Sequence, residues 1–141
     1  MKEGSGSGVT SGSGADDSEF LRVSGLQVEE VGGSGVRGWI DLDERHHTPW
    51  GVVHGGVYAA AVESAASLGA SAAVKDREQF AVGVNNNTDF LRPVTEGRVD
   101  VVAEPIIQGK GQQLWQVIIT RTEDGKEVAR GQVRLQNVPL R

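Results

Sequence analysis

From Gly51 to Val74 the chain runs without a lysine or arginine, and the one side chain in that run certain to be charged at neutral pH is Glu63. The stretch VHGGVYAAAVESAASLGASAAV is alanine-rich and opens on His54-Gly55-Gly56. It predicts one helix over about Gly55 to Val74, roughly 30 Å long at 1.5 Å rise per residue. Almost every face is apolar or small, so the helix is expected to be surrounded by protein rather than half-exposed. A carboxylate in the middle of such a helix is costly to take out of water unless it is paired or hydrogen-bonded. Glu63 must therefore have a chemical use or a polar partner.

The same run is long enough to cross a bilayer. It is built from alanine, serine and glycine rather than leucine, isoleucine and phenylalanine, and an acid near mid-span costs about 2.5–3.5 kcal/mol on insertion scales. The expectation is a core helix, with no membrane partner. The 141 residues suffice for one domain with its own core. A net charge of −5 argues against nucleic acid as a partner. The absence of cysteine excludes a disulfide scaffold, a zinc–thiolate site and cysteine catalysis, and it fits a reducing compartment. No apolar run follows the first lysine, so no signal peptide is expected and the location expected is cytoplasmic.

Residues 1–18, MKEGSGSGVTSGSGADDS, read as a flexible Gly/Ser-rich tail, and residues 19–141 as a single domain. Leu26 to Val31 and Val36 to Leu42 read as strands around Gly32-Gly33-Ser34-Gly35. Asp43 to Trp50 is a loop. Beyond the helix, Lys75-Asp76-Arg77-Glu78 ends in solvent. Phe80 to Leu91 is extended, Val99 to Gln108 alternates, and Gly109-Lys110-Gly111 turns into LWQVIITR, Leu114 to Arg121. In that strand Trp115, Val117 and Ile119 share one face. Glu123-Asp124-Gly125-Lys126 is a hairpin turn, and Glu127 to Gln136 is the last strand. Two strands, one buried helix, then three or four antiparallel strands give an α+β fold, a single sheet curled round one helix.

At the helix start, the first backbone N–H groups have no intrahelical partner, and two glycines leave them open to close approach. Such donors, with the helix dipole behind them, suit an oxyanion or a polarised carbonyl. Glu63 lies eight positions beyond Gly55, about 12 Å along one helix. Groups that far apart cannot both contact one carbonyl, which needs distances near 3 Å. If both are catalytic, Glu63 must come from a second copy of the chain, and the site lies at a dimer interface. Ser67, one turn after Glu63, is placed to hold a water or the carboxylate, or is simply small, like Ser64 and Ser71. His46, His47 and His54 lack metal-ligand spacing, so no metal is expected.

The runs HHTPWGVVHGGVYAAAVES, VGVNNNTDFLRPVTEGRV and GQQLWQVIITRTEDGKEVARGQVRLQN resemble the hotdog-fold acyl-CoA thioesterases of the phenylacetic-acid-pathway type. The resemblance lies near the branch holding 4-hydroxybenzoyl-CoA and 1,4-dihydroxy-2-naphthoyl-CoA thioesterases, and covers about residues 24 to 138. It implies that the Gly55 N–H polarises the thioester carbonyl and that Glu63 of the opposite subunit is nucleophile or general base. It also implies that His54 shapes the site and that Ser67 holds the attacking water. Six residues before His54 the family usually has Asn or Gln, where this chain has Thr48. A hydroxyl is shorter and has one donor where an amide has two.

Coenzyme A carries several phosphate charges. The resemblance points to Arg92 and to the turn at Lys110 and Gly111 as its binding residues, beside Gly56 at the helix start. The competing readings are a solvated surface charge for Arg92 and a plain turn residue for Lys110. Trp50 would line the acyl pocket or belong to the core. The expectation is hydrolysis of an acyl-CoA, with an aromatic acyl group, by a homodimer or a dimer of dimers joined through Phe80–Leu91. No cofactor is implied beyond the coenzyme A of the substrate. A hotdog hydratase or dehydratase and a non-catalytic acyl-CoA-binding domain are the alternatives.

Overall fold

The computed structural model describes residues 18–141. The expected tail therefore lies outside the described residues, except for Ser18. That serine caps a short helix, α1 (Glu19–Ser24), its hydroxyl accepting from the Leu21 N–H at 3.2 Å. The sequence reading held no helix here, because six residues with one buried side chain, Leu21, are too few to show a period. Then follow β1 (Gln27–Gly32), β2 (Gly35–Leu42), the long helix α2 (Gly55–Val74), β3 (Gln79–Phe90), β4 (Gly97–Gln108), β5 (Gln112–Arg121) and β6 (Glu127–Pro139). The strand reading held to within a few residues at each end, and the α2 boundaries held as expected.

All six strands form one antiparallel sheet in the order β1-β2-β4-β5-β6-β3. The first strand after α2 thus returns to the far edge, beside the last strand of the chain. Alternation decides which side chains face inward. Val99, Val101 and Ala103 of β4, Trp115, Val117 and Ile119 of β5, and Val133 and Leu135 of β6 are all buried. Against them α2 sets Tyr58, Ala61, Val62, Ala65, Ala66, Gly69 and Ala70. Gly69 lets the helix lie close: a Cβ there would stand 2.5 Å from the Trp115 ring.

The buried amide and indole groups of Gln113, Asn137 and Trp115 are paired, as desolvation demands. The Trp115 indole N–H donates to Gln113 Oε1 at 2.8 Å, and Gln113 Nε2 donates to the Ala70 carbonyl and to Asn137 Oδ1, both at 2.9 Å. Asn137 Nδ2 in turn donates to the carbonyls of Gly109 and Lys110. One chain of amides thus ties α2, β5 and β6 to the β4–β5 turn.

The expectation that α2 is enclosed holds for one side only. Ala59, Ala60, Glu63, Ser64, Ser67, Leu68 and Ser71 are half-buried, because the sheet covers a single side of the helix. By length and composition α2 could span a membrane, but its inner face is the core of this sheet.

Candidate active site

Helix α2 and edge strand β3 run antiparallel, side by side. The ends of the site are fixed by two close approaches. A Cβ on Gly55 would meet the Phe90 ring at 2.6 Å, and a Cβ on Gly83 would meet Glu63 Oε2 at 2.1 Å. Phe90 therefore lies beside the helix start, and the Glu63 carboxylate lies over the backbone of Gly83. The β3–β6 register slips between Gly83 and Asn85, a bulge that leaves Val84 unpaired. Bulge and glycine together make the niche that the carboxylate fills.

Glu63 is also held by a side chain. Asn86 Nδ2 donates to Glu63 Oε1 at 3.2 Å and to the Ala59 carbonyl at 3.1 Å. The Thr88 hydroxyl donates to Asn86 Oδ1 at 2.6 Å. The acid thus has the partner that its half-buried place requires, and no second hydrogen-bond donor reaches it among the described residues.

At the helix start, His54 is the N-cap in extended conformation (φ −69°, ψ 132°), and its Nδ1 accepts from the Gly56 N–H at 2.8 Å. In the neutral ring the proton then sits on Nε2. The His54 N–H donates to the His46 carbonyl at 2.8 Å. These bonds correct one expectation: the Gly56 N–H is not free for a substrate, because the neighbouring imidazole takes it. The Gly55 N–H has no acceptor among the described residues, and it points from the positive end of the helix.

The other expected residues fall in different places. The Thr48 hydroxyl accepts from the Trp50 N–H at 3.2 Å, and the Thr48 carbonyl accepts from Gly51 at 3.1 Å, so Thr48 builds the turn before the helix. Trp50, at the tip of that turn, is 85% exposed and is no core residue. Ser67 lies on the half-exposed side of α2, with no hydrogen bond among the described residues. Arg92 follows β3 at the Gly55 end and donates to the Glu127 carbonyl at 2.7 Å. Lys110 and Gly111 sit at the other end of α2, where the Lys110 carbonyl meets the Arg77 guanidinium at 3.5 Å. Within one chain these two cationic positions are separated by the length of the helix.

The remaining histidines are structural. His46 is buried, its Nδ1 accepting from the Asp43 N–H at 3.1 Å, and His47 Nε2 donates to the Thr95 carbonyl at 2.7 Å. Among the described residues no cluster of His, Cys, Asp or Glu is arranged to hold a metal. Sequence reasoning missed Gly83, Asn86, Thr88 and Phe90. The signal available was Asn85-Asn86-Asn87, three residues of a type depleted in strands, inside a strand.

A free N–H at a helix start and a carboxylate on the same open side are the groups an acyl-transfer site needs. The thioesterase superfamily profile matches residues 51–128, which contain both. The chain belongs to the thioesterase superfamily. It is 49% identical over 119 residues to the putative esterase Rv1847 of Mycobacterium tuberculosis, spanning 83% of this chain and 84% of that protein. The solved structure of that mycobacterial protein superposes with a TM-score of 0.83 over 86% of this chain and 98% of its own. Thioesterase HI1161 from Haemophilus influenzae superposes with a TM-score of 0.82 at 30% identity, over 89% of this chain and 86% of its own. The α+β fold expected from the sequence, one sheet with one long helix, is the fold of these solved structures.

Proposed function

We propose that this protein hydrolyses an acyl-CoA thioester with an aromatic acyl group, in a site shared by two copies of the chain. The observation that carries the proposal is the pairing of an unengaged Gly55 N–H with a held Glu63 carboxylate on one open side of α2, about 12 Å apart along the helix. Superfamily membership supports thioester hydrolysis in general. The aromatic acyl group rests on the resemblance of the three runs quoted above.

The distance requires the two groups to meet across subunits. Strand β3 is an edge, and Phe80, Val82, Val84, Phe90 and Leu91 on or beside it are exposed. An unpaired edge with exposed apolar side chains is a pairing surface. If two β3 strands pair antiparallel about a two-fold axis near Asn87, Phe90 of one chain falls opposite the Gly83–Asn86 segment of the other. That register brings the Gly55 N–H of one subunit to Glu63 of the partner subunit, and it covers the half-exposed side of α2. It also sets Arg92 of one chain and Lys110 of its partner on the same side of the site, where an extended coenzyme A would lie. A dimer of dimers is compatible with the same arrangement.

In the reaction, the thioester oxygen takes the Gly55 N–H as charge develops on it. Glu63 of the partner subunit either attacks the carbonyl carbon or removes a proton from the water that attacks. The C–S bond breaks and the thiol leaves with a proton taken from the water; where Glu63 has attacked, that water then cleaves the acyl–Glu63 anhydride, and by either route the free acid and an unmodified Glu63 remain. His54 holds the helix start in shape through its Nδ1, and Ser67, one turn from Glu63, is placed to bind the water. The reaction described needs no resident metal or redox cofactor. We place the activity in the cytoplasm, with neither membrane nor nucleic acid as partner.

The test is thiol release from a panel of aromatic and aliphatic acyl-CoAs by the wild type and by Glu63→Gln. The expected result is turnover of the aromatic members and a loss of several orders of magnitude in a folded Glu63→Gln protein. Equal turnover by the two proteins would remove Glu63 from the reaction, and none by the wild type with any substrate would move the acyl-CoA-binding reading to the front.

A further inference from the structure

We infer that Asn86 is the residue that positions the Glu63 carboxylate for catalysis, by means of an amide whose orientation is locked from both ends. The inference rests on the catalytic role proposed for Glu63. The orientation of an Asn amide is set by what surrounds it. Here two groups that can only accept, the Ala59 carbonyl and the Glu63 carboxylate, lie on one side at 3.1 Å and 3.2 Å from the same nitrogen. The NH2 must face them. On the other side the Thr88 hydroxyl, at 2.6 Å, donates to Oδ1. One N–H of Asn86 is thus anchored on the rigid helix backbone, and the other is aimed at Glu63 Oε1.

The two carboxylate oxygens are left unequal. Oε1 is engaged by Asn86. Oε2 lies against the Gly83 backbone, in a space that a Cβ would fill, and accepts no hydrogen bond among the described residues. An acid held by one oxygen and free at the other can attack a carbon, or take a proton, with a fixed direction and no rotamer search. Glu63 is a long side chain with three torsions, on the half-open side of its helix. Without the Asn86 contact it could swing along that side. Asn86 does not reach the reacting atoms itself. It acts through Glu63, and Thr88 acts through Asn86.

The test is a kinetic cycle on the full-length protein, with an acyl-CoA that the wild type turns over. Asn86→Leu keeps similar volume and removes the donor. Thr88→Val leaves the donor and removes its lock. Glu63→Asp draws the carboxylate back by one methylene, out of reach of the Asn86 amide. Asn86→Leu is expected to lower kcat about 10- to 100-fold, the scale of one hydrogen bond to a charged group, with KM and Tm nearly unchanged. Thr88→Val should lower kcat by less. In the Glu63→Asp background, Asn86→Leu should have little further effect on kcat. Wild-type kcat in Asn86→Leu, or the same fractional loss in both backgrounds, would overturn the inference while leaving the catalytic role of Glu63 intact. Full activity in Glu63→Gln would instead overturn the reading beneath it.

Discussion

A Cβ at position 83 would stand 2.1 Å from Glu63 Oε2, and the atom it meets is the far end of a flexible side chain. Gly83→Ala should therefore move the carboxylate rather than the strand. Activity is expected to fall at least about tenfold as the acid is pushed off its geometry, while Tm stays near the wild-type value; thermal melting beside a thiol-release assay reads both. Tyr58 offers a separate check. It is the one tyrosine of the chain and is buried, and its hydroxyl has no partner among the described residues. Burial pushes its phenol up to about 12, against a smaller opposing pull from Arg121. Folding thus favours the neutral phenol. That stability is complete below the ordinary tyrosine value near pH 10 and is lost as the pH rises towards 12. Phenolate absorbance followed against pH should show no titration near 10 while the protein stays folded. A midpoint at the ordinary value would show the ring to be open to solvent.

At the scale of elements, the contact between α2 and the sheet turns on Gly69. A Cβ there would lie 2.5 Å from the Trp115 ring, which is fully buried and pinned through its N–H to Gln113. Nothing near can give way easily, so Gly69→Ala should destabilise the protein by about 1–3 kcal/mol despite the better helix propensity of alanine. Urea titration of the variant measures this, and an unchanged midpoint would contradict the packing. The same helix shows what the sequence made legible. Its length, its ends and its central acid were plain, because alanine-rich composition and the His-Gly-Gly start are local signals. The closeness of Gly69 to Trp115 was not, because it joins positions 46 residues apart in the chain. Strand β3 was legible as an extended segment, but its bulge at Gly83 was not. A bulge is a mismatch of register with a partner strand, and that partner, β6, is the last in the chain.

At the scale of the whole molecule, a site shared between subunits makes a prediction that a site within one chain does not. Gly55→Pro removes the N–H at the first helical position, where proline is tolerated, and His54 already has the extended backbone that precedes a proline. Gly55→Ala is its control, since it crowds Phe90 in the same way and keeps the N–H. Gly55→Pro and Glu63→Gln should each be inactive alone. Denatured together and refolded, they should recover roughly one quarter of wild-type activity, because half the dimers are mixed and each mixed dimer holds one intact site. No recovery above the separate variants would refute the shared site.

The sequence by itself determined the elements and the pair of groups on which the proposed function rests. Alternation in β4 and β5, the alanine-rich run of α2, and a lone acid eight residues from a glycine pair can all be read along the chain, since each depends on near neighbours. It also showed that Gly55 and Glu63 lie too far apart to act together in one copy. Only the tertiary structure decided what surrounds them. Long-range pairing brought β3 beside α2 and set Asn86 and Gly83 against Glu63. It set Trp50 in solvent and parted Arg92 from Lys110 by the length of the helix. The physical reason is the same in each case: these contacts join residues distant along the chain, and no local pattern carries a distance that only folding creates.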